Sequence, residues 1–136
     1  MKEIVAVVRM NKVGATKKAL VDAGIAGFTA VKVMGRGKLV KDASLIEERK
    51  KTLLALNPHN TSCGKEKMVT EFLDGTRLFP RRMFTILVHD DEVSKIVEAI
   101  IQVNRTENKV GDGKIFVLPI MDAIRVRTGE SGDAAL

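Results

Sequence analysis

The sequence has no tyrosine, no tryptophan, a single cysteine and two histidines, and its apolar runs are no longer than a strand. Each shortage excludes something. With Cys63 alone no internal disulfide forms, and Cys63, His59 and His89 together fall short of a four-ligand zinc site. Without Tyr or Trp, and with five Phe not arranged as a stacking platform, the chain lacks the surface on which nucleic-acid bases are held. Strand-sized apolar runs argue against membrane insertion. The opening Met1-Lys2-Glu3 passes straight into alternating residues, with no apolar stretch and cleavage site of a signal peptide, so the expected location is cytoplasmic. Neither His59 nor His89 has an evident nucleophile or carboxylate beside it, so no catalytic residue is assigned, nor any metal site. Cys63 is read as a plain exposed thiol.

What is present suits one domain. A chain of 136 residues with 45% hydrophobic content buries a modest core that gains from oligomerisation. A charged fraction of 29% with mean hydropathy near zero argues against both a disordered chain and a membrane protein. The net charge of +6 is unevenly placed: residues 36–82 hold eleven Lys and Arg against six Asp and Glu, leaving the rest nearly balanced.

Lys2 to Arg9 places Ile4, Ala6 and Val8 on one face and Val5 and Val7 on the other, as in a strand buried on most of both sides. Asn11 to Gly24 repeats Val13, Thr16, Ala19, Leu20 and Ala23 at helical spacing, with Gly24 as a stop. Phe28 to Met34 and Met83 to His89 read as strands. Asp90 or Asp91 then caps a helix built on Val93, Ile96, Val97, Ile100 and Ile101 and ending near Asn104. Ile115 to Ile120 is a short strand, Ala123 to Arg127 a brief further one, and Gly129 to Leu136 a loose tail. The order βαββαβ is that of an α+β, ferredoxin-like split βαβ domain with both helices on one sheet face. The other face has no cover within the chain, which predicts a homo-oligomer.

The long connection from Gly37 to Phe79 is unusual for a compact domain. Ser44 and Glu47 have capping-box spacing ahead of Leu45, Ile46, Leu53, Leu54 and Leu56, a stripe interrupted by Arg49, Lys50 and Lys51. Asp74-Gly75 between Lys67–Leu73 and Arg77–Phe84 is a hairpin signal. The connection is read as part of a single domain spanning residues 1–136.

Three segments join glycine to basic residues: Gly35-Arg36-Gly37-Lys38, Lys109-Val110-Gly111-Asp112-Gly113-Lys114 and Arg125-Val126-Arg127-Thr128-Gly129. Glycine lets backbone N–H groups close on phosphate oxygens while Lys and Arg neutralise charge. Each segment alone is equally an ordinary tight turn. Neither the Walker lysine spacing nor the dinucleotide glycine pattern occurs.

Together and in order, these segments resemble the PII family of nitrogen-regulatory proteins, over Met1 to Gly37 and from about Phe79 onward. Val110 to Val117 and Ile124 to Glu130 look like its two signatures. The resemblance implies a homotrimer or mixed trimer of ferredoxin-like subunits with ATP or ADP in each intersubunit cleft. It implies a T-loop over about 37–80, a B-loop over about 105–114 and a C-loop over about 124–130. Gly35, Gly37 and Lys38 match the base of the T-loop, Gly111, Asp112, Gly113 and Lys114 the B-loop, and Arg125 and Arg127 the C-loop; Thr29 matches a residue near the adenine.

The departures carry information too. Members that bind 2-oxoglutarate through ATP and Mg2+ have Arg then Gln after the second glycine, where this chain has Lys38 and Leu39, and Leu39 cannot ligate a metal. The family's 2-oxoglutarate lysine falls near Arg81, or Arg82 with the gap placed differently. The T-loop tyrosine that is uridylylated in some members is missing, and Asn108 is an extra B-loop residue. A long basic loop resembles the subgroup encoded with nitrogenase genes, which implies nitrogenase as the target. Regulation of a transporter or biosynthetic enzyme, turnover of nucleotides, and nucleic-acid binding through the basic loop are the competing readings.

Overall fold

The computed structural model describes residues 1–25, 27–37, 78–107 and 111–136. The Ser44–Glu47 capping box with its leucine run, the Asp74-Gly75 hairpin, His59, Cys63, Asn108 and most of the 37–80 loop lie outside the described residues. The chain divides into two compact units, Met1–Val33 with Pro80–Leu136, and Met34–Phe79.

β1 (Lys2–Arg9) is the centre of the fold. Its β-branched residues alternate as a pleated strand requires, and Ile4, Ala6 and Val8 are fully buried while Val5 and Val7 are not. β2 (Thr29–Gly35), β3 (Phe79–Val88) and β4 (Gly113–Pro119) complete an antiparallel sheet in the order β2-β3-β1-β4. Ile4 lies between Ile86 and Val117, and Ala6 between Phe84 and Ile115. The single-helix connections α1 (Val13–Asp22) and α2 (Val93–Asn104) each follow a 3-10 turn, Met10–Lys12 and Asp90–Glu92. Gly24, at φ +93°, ends the first connection in a conformation that disfavours a side chain.

Leu20 from α1 and Ile96 and Ile100 from α2 close the core over Ile4, Ala6, Val8, Phe84, Ile86 and Val88. The Phe28 and Phe84 rings meet edge-on at 5.7 Å. One polar tie crosses this core. Asn104 Nδ2 donates to Thr16 Oγ1 at 2.9 Å and to the Ile100 carbonyl at 2.9 Å, while Thr16 Oγ1 donates to the Lys12 carbonyl at 2.8 Å. Both side chains are buried, so the bonds lock the two helices in one register at a net gain of about 1 kcal/mol each.

The ferredoxin-like α+β architecture is as the residue pattern predicts, with four differences of detail. β3 starts four residues before the expected Met83, because Arg81 and Arg82 pair with Arg9 and Val8 of the eight-residue β1. Phe79 and Pro80 run past the β1 register, so β1 asks no ladder bond of Pro80. Neither Asp90 nor Asp91 caps α2 through its side chain. Instead Asp90 Oδ1 accepts a 2.6 Å bond from the Met1 ammonium, which holds its carboxyl below the usual range. The expected strand at Ala123–Arg127 is a single bridge between Ile124 and Ser131, and the expected loose tail is a 3-10 turn over Gly132–Ala135.

Candidate functional site

β4 begins at the B-loop, and its entry is shaped by backbone sterics. Gly113 sits at φ +124°, and a Cβ there would lie 2.2 Å from the Val7 carbonyl oxygen. Only glycine lets the strand start this close to β1. Gly111, at φ +99°, precedes it, and a Cβ would come within 3.1 Å of Arg9 Nη2.

Asp112 anchors the loop. Its Oδ1 accepts from Thr106 Oγ1 at 2.6 Å and its Oδ2 from the Thr106 amide at 2.9 Å, and Arg9 Nη2 stands 3.1 Å from Oδ1. Arg9 Nε also donates to the Gly111 carbonyl at 2.8 Å. The Thr106 hydroxyl, then the Thr106 amide, hold the Asp112 carboxyl below its ordinary range, with the nearby Arg9 and Lys12 charges assisting. Asp112 therefore braces Thr106 and Arg9 against the start of β4. Lys114, next along, is exposed on β4 opposite Val7, on the sheet face away from the helices, and makes no ion pair among the described residues. Among the described residues, Asp112 ties Thr106 and Arg9 together at the entry to β4, and Lys114 stands exposed beside them.

Arg9 and Thr106 carry this geometry and were not singled out from the sequence. Arg9 reads there as the polar end of a strand, and Thr106 stands several residues from the glycines. Only the pairing of β1 with β4 brings Arg9 to Asp112.

The C-loop is a tight turn. The Arg125 amide donates to the Glu130 carbonyl at 2.8 Å, and the Arg125 carbonyl accepts from the amides of Thr128 and Gly129, the latter at φ +74°. Arg125 Nη1 pairs with Glu130 Oε2 at 2.6 Å, and Thr128 Oγ1 donates to the same oxygen at 2.8 Å. Arg125 Nη2 donates to the carbonyls of Ala134 and Leu136, both at 3.0 Å. Arg127 is exposed and makes no ion pair among the described residues.

Thr29 opens β2 and lines a cavity of about 640 Å³ with Glu3, Phe28, Thr85, Leu87 and Leu136 among others. Gly35 closes β2 and Gly37 follows it, neither at positive φ. Lys38 and Leu39 lie outside the described residues. Arg81 pairs across the sheet with Arg9, and its Nη1 donates to the Pro80 carbonyl at 3.5 Å.

The structure brings these residues together as two groups. Gly111, Asp112, Gly113 and Lys114 stand where β1 ends, with Val8 opposite Gly113. Thr29 shares its cavity with Glu3, near the start of β1, and with Leu136, whose carbonyl Arg125 holds. Glu3 and Val8 are roughly 17 Å apart at a strand rise of about 3.3 Å per residue. No helix among the described residues is long and apolar enough to cross a membrane.

A split βαβ fold with a glycine-bounded entry to β4 at one end of its sheet and an arginine turn at the other defines a ferredoxin-like α+β domain. The family model described as nitrogen regulatory protein P-II matches residues 1–130, and the chain belongs to that family. It is 40% identical over 136 residues to a nitrogen fixation nifHD region GlnB-like protein 2 of Methanobacterium ivanovii, covering all of this chain and 99% of the relative's. A nitrogen fixation nifHD1 region GlnB-like protein 2 of Methanosarcina barkeri is 38% identical over 136 residues, with the same coverage. A nitrogen regulatory protein P-II of Cereibacter sphaeroides is 35% identical over 136 residues, covering both chains fully.

Proposed function

We propose that this chain is a nitrogen-status sensor that binds ATP or ADP in clefts between subunits and regulates nitrogenase through its 37–80 loop, without being an enzyme itself. The observation that carries the reading is the separation of the two groups of site residues. Gly111 to Lys114 offer backbone amides and a lysine for phosphates, while Thr29 and the Arg125–Arg127 turn stand at the far end of the same sheet. A nucleotide that uses both must lie between two chains.

An assembled ring supplies that arrangement. On the sheet face away from the helices, Leu87, Phe116 and Leu118 are 40%, 48% and 41% exposed, and Val126 on the C-loop is 98% exposed. Apolar surface of this kind calls for another subunit, and a trimer, of one chain or mixed with a second P-II protein, covers it. Arg81 keeps a cation on this face, which supports a carboxylate ligand such as 2-oxoglutarate; Mg2+ with ATP would need ligands other than Leu39. The nitrogenase target is supported by the nif-region descriptions of the relatives, and a cytoplasmic location fits that partner.

No turnover is required. Ligand need only favour one loop state over another by about 1–3 kcal/mol, a usual coupling energy. The test is calorimetric titration with ATP and ADP, then with 2-oxoglutarate in the presence of Mg2+ and ATP, on the protein alone and reconstituted with a second P-II subunit. Micromolar nucleotide binding at one site per subunit is expected. Its absence in both preparations would leave the three glycine segments as turns.

A further inference from the structure

Arg125 is already occupied within its own chain. Its Nη1 is paired with Glu130 and both Nη2 protons are given to the Ala134 and Leu136 carbonyls, so its charge is neutralised and three of its five N–H donors are used. The turn that supplies those carbonyls is itself pinned. The Gly132 amide donates to Asp122 Oδ1 at 2.8 Å and to the Ala123 carbonyl at 3.0 Å, and Asp133 Oδ1 stands 3.8 Å from both the Met1 ammonium and His89 Nδ1. At the far end of the turn, Leu136 lines the Thr29 cavity. One short segment therefore holds Arg125 and fills space beside Thr29.

We propose that the Gly132–Leu136 turn is an intrachain latch that competes with nucleotide for Arg125 and the Thr29 cavity, so that nucleotide binding releases the turn. A phosphate that takes the Nη2 edge of Arg125 must displace the two carbonyls that hold it. The latch sets the nucleotide concentration at which the sensor responds, and the released turn reports occupancy at the C-loop end of the sheet. It rests on the nucleotide reading of Arg125 and Thr29.

The test compares ATP titrations of the full chain, a truncation lacking residues 132–136, and Glu130→Gln, with hydrogen exchange of the full chain with and without ATP. Removing two charge-assisted bonds' worth of competition, the truncation should bind ATP about tenfold more tightly, and Glu130→Gln about threefold. ATP should speed exchange at the Gly132 and Leu136 amides of the full chain. Equal affinity in truncated and full chains, or exchange of those amides unchanged by ATP, overturns the latch and leaves the nucleotide reading standing. Failure of every variant to bind ATP overturns both. Should the truncation not fold, exchange in the full chain decides.

Discussion

At the scale of single residues, the B-loop separates groups that shape it from the lysine proposed to meet ligand. Gly113 shapes it: with the Val7 carbonyl 2.2 Å from the position of an added Cβ and φ at +124°, Gly113→Ala must push β4 off β1. The expected cost is about 2 kcal/mol or more, read as a lowered urea midpoint at fixed protein concentration. Lys114 is different. It is exposed and makes no ion pair among the described residues, so Lys114→Ala should leave the unfolding midpoint and oligomeric state alone while weakening ATP binding at least about tenfold, the scale of one charge-assisted contact. Unchanged affinity would remove Lys114 from the site. The glycines and Lys114 were legible in the sequence because their chemistry is local; Arg9 was not, because it meets Asp112 only across strands more than a hundred positions apart.

Among the elements, the strand and helix interiors were plain from period alone, since Ile4, Ala6 and Val8 or Ile96 and Ile100 can be buried in only one register. The ends were harder. β3 gains Arg81 and Arg82 by pairing with β1, and Asp90 is drawn from capping α2 to the Met1 ammonium. The tie between Thr106 and the entry to β4 depends on a carboxylate. Thr106 and Arg9 lower the Asp112 pKa in the folded chain, so this anchor is fully present above the unfolded value of about 3.9 and is lost only as pH falls through the lower folded value. The Thr106 amide resonance should stay in place from pH 7 to about pH 4 and move below it. In Asp112→Asn that acid transition should vanish, and persistence of the same shift in the variant would assign it to another group.

For the whole molecule, the regulatory reading assigns the nucleotide clefts to the described body and the partner surface to the loop. Deleting Val40 to Arg77 should therefore leave ATP affinity and oligomeric state within about twofold, since most loops outside the core change little in stability, yet abolish capture of nitrogenase in a pull-down. Capture by the shortened protein would move the effector surface elsewhere.

By itself the sequence determined the element order, the inner face of each strand and helix, the glycine segments and the P-II resemblance, because periodicity, backbone sterics and motif chemistry act over a few residues. Tertiary structure decided what those pieces do to one another. Pairing β4 with β1 brings Arg9 to the B-loop, packing α1 on α2 joins Thr16 to Asn104, and the fold-back at Gly132 delivers two carbonyls to Arg125. Such contacts join residues that only the closed sheet and helices make neighbours, so no local pattern encodes them.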